Sequence, residues 1–540
     1  MAENMTEDAL LQYEKMKRGI ESTPLPANFR ELIDRAAERF DQRVALRFFE
    51  DKQELTFAGL HEDVNRLASS LHGLGIGEGS HVAVLLPNRI EFPVTWLALA
   101  VIGAVMVPTN TQYTGSELDY LFNDGDVGFL VVDESMLPAF ESMLNPPAAL
   151  SDDRVIVCGH PGDRSWHSWE YLRDRGDPGF VSDIRVTGDT LLNIQYTSGT
   201  TGFPKGCMQS QRYWLLIGCC VSLSNPEINS LLTDHPYFYM DPQWQLVWGL
   251  YSGATVNVAR RMSSSRFLEW VRRYSIEWAW FPKPLLKLPE QEPDCDHPIK
   301  KFNVGAISAA AILDAEARFG RQIRMAFGMT EIGAGLVVPS ELPDQEILKT
   351  CGVAAPFREV RIVDDEGIDV ANGEPGELLV RGDSIFQGYY NKPEANEKSF
   401  YGEWFRTGDV FLRTDKGYYR IIGRIKDMIR RSSENISALE VEQVIMQLPG
   451  VFEAAAVPVP DELRGEEVKI YVQLNDGVKQ ELVPPESITA HCESHLAPFK
   501  VPRFIAYVDT FPRTASNKIA KNTLVAGHVD LRAGCFDREA

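Results

Sequence analysis

Helical and strand patterns alternate along nearly the whole chain. Apolar residues recur at helical spacing between Leu60 and Leu71, four glycines then break the pattern, and His81–Pro87 reads as a buried strand. This alternation predicts an α/β architecture with parallel sheets rather than a β-sandwich or a helical bundle. The four glycines are not a dinucleotide fingerprint, because they follow a helix and Glu78 stands where the third glycine would be needed.

Three other stretches bear on domain organisation. Val94–Pro108 is strongly apolar but shorter than the roughly 18 to 20 residues needed to cross a bilayer, so it predicts a buried helix running into a strand. Residues 145–189, rich in Gly, Pro, Asp and Arg, are expected to form an irregular surface excursion. Gly417–Arg424 predicts a hairpin strand, and Ser437–Leu448 has a helical pattern. A second domain is therefore expected to begin near Lys426, giving domains at 1–425 and 426–540.

Composition and charge narrow the functional classes. The 540 residues are 44% hydrophobic and 24% charged, which suits a globular protein of about three or four structural units. The net charge of -22, from 54 basic and 76 acidic residues, opposes binding to nucleic-acid phosphates. The eight scattered cysteines include no zinc spacing and predict free thiols, and the acidic N-terminus has no export signal. A cytoplasmic protein with no integral membrane segment is expected.

A loop suited to phosphate follows the predicted strand Leu191–Thr197. It combines hydroxyls, glycines and one lysine, whose hydrogen-bond donors and positive charge match phosphate oxygens. The order differs from a Walker A sequence, since Pro204 precedes the lysine and Gly206 follows it. A merely structural Gly/Ser/Thr turn is the alternative. The candidate phosphate ligands are Thr197, Ser198, Gly199, Thr200, Thr201, Gly202 and Lys205.

The segment Tyr196–Gly206 closely resembles the signature loop of the adenylate-forming (AMP-binding) superfamily, which includes acyl-CoA synthetases, luciferases and adenylation domains of peptide synthetases. Further motifs of the superfamily follow in the expected order between about residues 30 and 522. The resemblance implies a large N-terminal domain of α/β subdomains with stacked sheets and a small β-barrel-like part. A small, mobile α+β C-terminal domain would follow, with Lys426 at the hinge.

The same resemblance assigns the nucleotide site. In Phe327–Glu331 it places Phe327 on adenine, Thr330 on the α-phosphate and Glu331 on Mg²⁺, and it places Asp409 on the ribose hydroxyls. Mg²⁺ prefers hard carboxylate oxygens, and an aromatic ring can stack on a base. The simpler interpretations are a solvated acid at 331, a turn-capping Asp at 409 and a solvated basic cluster around 424–431. The remaining implied nucleotide contacts are Gly305, Ala306, Gly328, Met329, Ile421 and Arg424.

Phe511–Lys518 resembles the C-terminal lysine motif of the superfamily, so Lys518 is expected to catalyse adenylation together with Thr330 and Glu331. A surface lysine is the alternative. Because Lys518 lies far along the chain from Lys205, the resemblance implies an active site formed between two bodies.

The thiol side and the acyl side show departures from the superfamily pattern. The implied coenzyme A contacts are Ser432, Ser433 and Glu434, with Ser433 standing where glycine is usual. Gln211 and Tyr239 replace two histidines expected near the acid pocket. The pattern is similar to the crotonobetaine/carnitine-CoA ligase branch, in which case Tyr239, Asp241 and Trp244 would surround a quaternary ammonium. The implied acyl pocket comprises Tyr239, Met240, Trp244, Ile307, Ile332 and Gly333.

The resemblance implies an ATP-dependent carboxylic acid-CoA ligase. A carboxylate and ATP would give an acyl-adenylate and pyrophosphate, and the thiol of CoA would then release AMP. Its partners would be a small carboxylic acid, ATP, Mg²⁺ and coenzyme A, with no nucleic acid, in a monomer or homodimer. An adenylating enzyme that loads a carrier protein is the first alternative, and a non-catalytic nucleotide- or acyl-binding regulator is the second.

Overall fold

The computed structural model describes residues 2–162, 164–197, 204–305, 307, 309–339, 345–432, 434–461, 463–514, 518–526 and 530–539. The chain divides into two compact units. Unit 1 comprises residues 1–359 and 381–400, and unit 2 comprises residues 360–380 and 401–540.

The elements follow one another in the alternation that the sequence predicts. Up to residue 197 they are α1 (Ala2–Glu21), α2 (Phe29–Phe40), β1 (Val44–Phe48), β2 (Gln53–Thr56), α3 (Phe57–Gly73), β3 (His81–Leu85), α4 (Glu91–Val101), β4 (Val105–Pro108), α5 (Gly115–Asp124), β5 (Phe129–Asp133), α6 (Leu137–Glu141), β6 (Val155–Cys158), β7 (His167–Ser168), α7 (Trp169–Arg175) and β8 (Leu191–Thr197). From residue 205 to 401 they are β9 (Lys205–Ser210), α8 (Gln211–Ser224), β10 (Ser230–Thr233), α9 (Met240–Ser252), β11 (Thr255–Val258), α10 (Ser264–Arg273), β12 (Trp278–Trp280), β13 (Lys301–Val304), α11 (Ala309–Phe319), β14 (Ile323–Met329), β15 (Gly333–Val337), β16 (Val353–Ala354), β17 (Arg358–Val363), β18 (Pro375–Gly382), α12 (Pro393–Ser399) and β19 (Phe400–Tyr401). The remaining elements are β20 (Trp404–Arg413), β21 (Tyr419–Arg424), β22 (Met428–Arg431), β23 (Glu434–Ser437), α13 (Ala438–Ile445), β24 (Val451–Asp461), β25 (Gly465–Leu474), α14 (Pro485–His495), β26 (Phe504–Tyr507), α15 (Lys521–Val525) and β27 (Phe536–Asp537).

Unit 1 contains two large sheets. One has the strand order β16-β15-β14-β13-β12-β10-β11-β1-β2, and the other has the order β7-β6-β5-β3-β4-β8-β9. One buried cluster includes Leu46 and Val256 from the first sheet and Val82 and Val131 from the second, together with apolar residues of α2, α3, α4, α8 and α9. The sheets are thus stacked over shared helices, and the predicted α/β fold is confirmed.

Helix α4 is the centre of this packing. All eleven of its residues are buried, as expected for a helix that is apolar on every side. The prediction that Val94–Pro108 forms a buried helix followed by a strand is confirmed, because α4 leads into the buried strand β4. No helix in the described part of the chain is long and apolar enough to span a membrane.

The expectation of an irregular excursion at residues 145–189 is wrong in part. Strand β6 is buried throughout and pairs in parallel with β5 inside the second sheet. Its four apolar residues are too few to show a strand or helix periodicity. The polar residues on both sides of them therefore favoured the prediction of an irregular segment. The other described residues of the segment contain the 3₁₀ turn Asp152–Arg154, β7 and α7, and irregular chain between them.

Unit 2 has its own core and sheet. Strands β20 and β21 form the predicted antiparallel hairpin. Strands β22 to β27 form a separate sheet, in which β24 and β25 pair antiparallel over their whole length, and α13 and α14 pack on its core. The predicted domain boundary near Lys426 and the mobility of the C-terminal domain stay predictions.

Candidate active site

The turn between β14 and β15 presents Thr330 and Glu331. A Cβ on Gly328 would lie 2.5 Å from the carbonyl oxygen of Gly333, and Gly333 itself has a φ of +66°. Only glycine avoids the clash at the first position and the strain at the second. The turn is therefore tight, and the sequence Gly328–Gly333 is what allows it to form.

The carbonyl oxygen of Thr330 is held by two buried side chains. It accepts hydrogen bonds from Gln209 Nε2 at 2.8 Å and from the Tyr213 hydroxyl at 2.9 Å. The same two groups lie 3.6 and 3.8 Å from Met240 Sδ. Met240, a predicted acyl-pocket residue, is thus brought to the back of the turn that carries Thr330.

Arg358 fixes the other end of the turn from within the core. Its Nε donates to the Ile332 carbonyl at 2.9 Å, and its Nη1 donates to the carbonyls of Phe357 and Asp383 at 2.9 and 2.8 Å. The side chain is almost fully buried, and this burial lowers the pKa of Arg358, although an arginine keeps its proton in proteins. A buried cation surrounded by carbonyl dipoles thus lies directly behind the Ile332–Gly333 peptide.

The carboxylate of Glu331 is nearly buried, with 7% exposure. The hydroxyl of Tyr389 donates to Glu331 Oε1 at 2.8 Å. The backbone N–H of Phe386 donates to the backbone carbonyl oxygen of Glu331 at 2.7 Å. The ammonium of Lys205 lies 4.3 Å from the centre of the Tyr389 ring. Burial, with the Glu331 carboxylate nearby, raises the pKa of the Cys207 thiol. Lys205 and Glu331 therefore occupy two sides of one aromatic residue.

Sequence reasoning missed Tyr389. It lies 58 residues beyond Glu331, and only the folding of the segment 386–390 against β9 brings it to the site. Gln209, Tyr213 and Arg358 were missed for the same reason, because their roles depend on contacts with the backbone of a distant turn.

The phosphate loop is framed by two paired strands. Thr197 ends β8, Lys205 begins β9, and the two residues are partners in the antiparallel register. The predicted ligands Ser198, Gly199, Thr200, Thr201 and Gly202 lie outside the described residues. The structure describes the strand pair β8/β9, which holds the two ends of this loop and carries Lys205.

The donor set at Glu331 fits magnesium. Among the described residues there is no group of three or more His, Cys, Asp or Glu side chains that would hold a metal. Mg²⁺ is commonly held by one or two carboxylates together with water and substrate phosphates. A single carboxylate, oriented by a hydrogen bond from Tyr389, matches that mode of binding.

The predicted adenine contacts come from the ends of two neighbouring strands. Gly305 follows β13, and Phe327 lies near the end of β14, which pairs with β13 in parallel. Ile307 packs half-buried against the core under α11, whereas Ala306 lies outside the described residues. Ligands of α/β folds bind at the carboxyl ends of parallel strands, where these residues lie.

On the acyl side, the loop before α9 is held by glutamine side chains. Gln243 Nε2 donates to the carbonyls of Tyr237 and Tyr239 at 2.9 and 3.1 Å, and Gln195 Nε2 donates to that of Phe238 at 2.7 Å. The glutamines themselves are buried. The position of the Tyr239 backbone is thus set by β8 and by the first turn of α9.

Trp244 lies in a cluster of indoles. Its ring centre is 6.3 Å from that of Trp248, 5.5 Å from that of Trp278 and 6.5 Å from that of Trp280. Its Nε1 donates to Asp241 Oδ1 at 3.1 Å. A carboxylate and an aromatic wall therefore stand together, whereas Trp248 is completely buried and serves the core.

Gln211 occupies the core. It is fully buried, its Oε1 accepts from the Phe29 N–H at 2.8 Å, and its Nε2 donates to the Ala100 carbonyl at 2.7 Å. The oxygen and the nitrogen of the Gln211 amide thus link α2 and α4 through these two hydrogen bonds. The replacement of histidine at this position is explained by packing and not by an acid pocket.

In unit 2, the strand pair β20/β21 places Asp409 opposite Arg424. The guanidinium Nε of Arg424 lies 3.0 Å from Asp409 Oδ1. Burial raises the pKa of Asp409 to about 6, while the charges of Arg424 and Lys518 act to lower it. Three residues that the sequence singles out, from three separate motifs, are therefore close enough to interact electrostatically. Ile421 lies on the same hairpin, opposite Phe411.

The other predicted residues of unit 2 that the structure describes lie on loops and turns or at the start of a strand. Lys518 is exposed, and its backbone is held by bonds to Thr514. Lys426 lies in the turn Ile425–Asp427, and Ser432 adopts a φ of +57°. Glu434 begins β23, and Ser433 lies outside the described residues.

Two family models match the chain. The model described as AMP-binding enzyme matches residues 33–390, and the model described as AMP-binding enzyme C-terminal domain matches residues 440–518. The chain belongs to the AMP-binding enzyme family. The predicted membership of the adenylate-forming superfamily is thereby confirmed, as is the prediction of an enzyme of the AMP-forming acid-thiol ligase class.

Individual relatives cover nearly the whole chain. The crotonobetaine/carnitine-CoA ligase of Proteus mirabilis (strain HI4320) is 29% identical over 519 residues, which are 92% of this chain and 98% of that protein. The o-succinylbenzoate CoA synthetase (MenE) of Bacillus subtilis, solved with its acyl-adenylate intermediate, is 25% identical with a TM-score of 0.80, covering 94% of this chain and 99% of that one. The anthranilate CoA ligase AuaEII, solved with anthranoyl-AMP, has the same fold, with a TM-score of 0.83 at 23% identity over 94% of this chain and 98% of that one.

Proposed function

We propose that this protein is an ATP-dependent carboxylic acid-CoA ligase that works through an acyl-adenylate. The observation that carries the proposal is the arrangement of Lys205 and Glu331 around Tyr389. It sets a cation for phosphate oxygens, at the start of β9, and a carboxylate for a divalent metal, in the turn between β14 and β15, beside one aromatic residue of unit 1.

In the first half-reaction, a carboxylate oxygen of the acid attacks the α-phosphorus of ATP. The bond from that phosphorus to the bridging oxygen breaks, and pyrophosphate leaves. Two anions must approach each other, so catalysis depends on positive charge and on positioning. Lys205 binds the phosphates, the Thr330 hydroxyl contacts the α-phosphate, and Lys518 stabilises the charge that develops in transfer. Mg²⁺ held by Glu331 would neutralise phosphate charge.

The proposed nucleotide contacts come from several motifs. Asp409 accepts hydrogen bonds from the ribose hydroxyls, Arg424 contacts the ribose and phosphate, and Ile421 lies beside the nucleotide. The other proposed contacts are Phe327 on the base, with Gly305, Ala306, Gly328 and Met329 around it and Thr197 to Gly202 on the phosphates.

In the second half-reaction, the thiol sulfur of CoA attacks the acyl carbonyl. A carbon–sulfur bond forms, the bond to the adenylate oxygen breaks, and AMP leaves. Ser432, Ser433 and Glu434 contact the pantetheine chain, and a rotation about Lys426 separates the two steps. The CoA ligases named among the relatives support this acceptor. The alternative, transfer to a carrier protein, is kept open by Ser433, which replaces the glycine that is usual at this position in the superfamily.

The acid is proposed to lie against Tyr239, Met240, Trp244, Ile307, Ile332 and Gly333. A second, finer proposal is that the acid carries a quaternary ammonium. It is supported by the Asp241 carboxylate bonded to the Trp244 indole and by the substrate named for the Proteus mirabilis relative.

The test is pyrophosphate release from ATP and Mg²⁺ over a panel of fatty, aromatic, alicyclic and betaine acids, each with and without CoA. Release that depends on the acid and is multiplied by CoA supports the ligase. Release that depends on the acid but is indifferent to CoA supports another acceptor. No acid-dependent release from a protein that still binds AMP would overturn the proposal in favour of a nucleotide-binding regulator.

A further inference from the structure

Tyr389 stands between two opposite charges. Its hydroxyl donates to Glu331 Oε1 at 2.8 Å, and its ring face lies under the Lys205 ammonium at 4.3 Å. The phenol hydroxyl is the donor in this bond, because an ionised carboxylate can only accept.

The backbone around Tyr389 is fixed from both sides. The Asn396 amide accepts from the Tyr389 N–H at 2.6 Å and donates to its carbonyl at 2.9 Å. The N–H of Tyr390 donates to the Gly206 carbonyl at 2.8 Å, and that of Gln387 donates to the Met208 carbonyl at 2.7 Å. The bonds to Gly206 and Met208 attach the segment to β9, so the backbone that carries the ring cannot move away without breaking them.

Both charges beside this ring are available to a ligand in the described part of the site. Among the residues that the structure describes, neither Lys205 nor Glu331 forms an ion pair. A cation over an aromatic face and a carboxylate accepting a phenol hydrogen bond are each partly satisfied without losing their charge. Removal of this side chain would remove both the aromatic face that the ammonium contacts and the hydroxyl that orients the carboxylate.

We propose that Tyr389 is a positioning residue that holds Lys205 and Glu331 apart and keeps both available to MgATP. The inference rests on the proposed function, because it assumes that Lys205 binds phosphate and that Glu331 binds Mg²⁺. It goes beyond that function by assigning two separable tasks to one side chain, the hydroxyl orienting the carboxylate and the ring holding the ammonium.

Two variants separate these tasks. Tyr389→Phe removes only the hydroxyl, and Tyr389→Leu removes the hydroxyl and the ring. Tyr390→Phe is the matched control, because this neighbouring hydroxyl bonds to Asp126 at 2.8 Å instead of to the site. ATP binding is measured by calorimetry without acid, so that no turnover occurs, with and without Mg²⁺. The Mg²⁺ concentration for half-maximal pyrophosphate release is measured separately.

We expect Tyr389→Phe to raise the Mg²⁺ requirement about tenfold, as for other outer-shell partners of metal ligands, and to leave metal-free ATP binding unchanged. We expect Tyr389→Leu to weaken metal-free ATP binding as well, because Lys205 would pair with Glu331. Tyr390→Phe should match the wild type in both measurements.

An unchanged Mg²⁺ requirement in Tyr389→Phe, or unchanged metal-free ATP binding in Tyr389→Leu, would overturn the inference. Failure of the proposed function would look different, since the wild type itself would then release no pyrophosphate in response to any acid. Thermal unfolding of each variant identifies a simple loss of folding, and in that case Tyr389→Phe alone decides the outcome.

Discussion

Arg424 lies 3.0 Å from the carboxylate of Asp409, which is only 2% exposed, yet the pKa of Asp409 is raised to about 6. Burial therefore outweighs the attraction of the guanidinium. A ribose that donated two hydrogen bonds to this carboxylate would favour its ionised form. Nucleotide binding and proton release should consequently be coupled at this residue.

The affinity for adenosine should depend on pH through Asp409. Adenosine carries the ribose hydroxyls but not the phosphate of AMP, whose second ionisation lies near the same pH. Above about pH 6 the carboxyl is ionised and the affinity should be constant. Below that pH the affinity should fall by up to about tenfold per pH unit, because binding then requires loss of a proton. Calorimetry of adenosine binding in buffers of different ionisation enthalpy measures both the affinity and the proton released. An affinity that is constant between about pH 5 and 7 would contradict the assignment.

Asp409→Asn is the control for this effect. An amide cannot ionise, so the variant should bind adenosine more weakly than the wild type at neutral pH and should show no pH dependence in the same range. A pH dependence that persisted in the variant would trace it to another group.

The two half-reactions should respond differently to loss of Lys518. Lys518→Ala removes the charge that is proposed to stabilise adenylate formation, so acid-dependent pyrophosphate release should fall by at least about a hundredfold, in line with other electrostatic catalytic groups. Thioester formation from a supplied acyl-adenylate and CoA should be retained. Equal losses in both assays would show that the lysine does not act in one step alone.

A residue of this site could be predicted from the sequence when it stands in a short motif of neighbouring residues. Phe327–Glu331 and the lysine of the phosphate loop stand in short motifs, and the structure brings Glu331 and Lys205 to opposite sides of Tyr389. Tyr389, Gln209 and Arg358 carry no local signal, because each acts on the backbone or side chain of a residue far away in sequence.

The fold shows the same division. The periodic segments that became α3, β3 and α4 were predictable, since each buries a continuous apolar face. The short strand β6 was not, because its place inside a sheet depends on pairing with β5 and not on its own pattern. The sequence places Gln211 near the acid pocket, but its two hydrogen bonds show that the side chain lies in the core.

Arg358 should be a large contributor to the stability of unit 1. In Arg358→Met the carbonyls of Ile332, Phe357 and Asp383 lose their buried donor, and the unfolding free energy should fall by about 2 kcal/mol or more. Arg212→Met is the matched control, because Arg212 pairs with the Asp383 carboxylate at a partly exposed position and should cost less than about 1 kcal/mol. Thermal and urea unfolding measure both, and equal losses would contradict the structural role of Arg358.

Ser433 should limit the thiol step. If its side chain narrows the path of the pantetheine, Ser433→Gly should raise the rate of thioester formation with CoA and leave acid-dependent pyrophosphate release without CoA unchanged. Single-turnover transfer from a supplied acyl-adenylate measures the thiol step alone. A variant no faster than the wild type would mean that Ser433 does not obstruct CoA.

The charge of Asp241 should decide whether the acid pocket prefers a cation. The carboxylate accepts a hydrogen bond from Trp244 Nε1 and stands beside an indole wall, an arrangement that attracts a quaternary ammonium through both the charge and the ring faces. We expect kcat/KM for a trimethylammonium acid to exceed that for the neutral tert-butyl isostere by about tenfold, a difference of about 1.4 kcal/mol. Asp241→Asn keeps an acceptor for the indole N–H but removes the charge, so it should abolish most of this preference while leaving the neutral acid unaffected. Equal kcat/KM values for the two acids in the wild type would refute a cationic substrate, and a preference that survived in Asp241→Asn would assign it to the indoles instead.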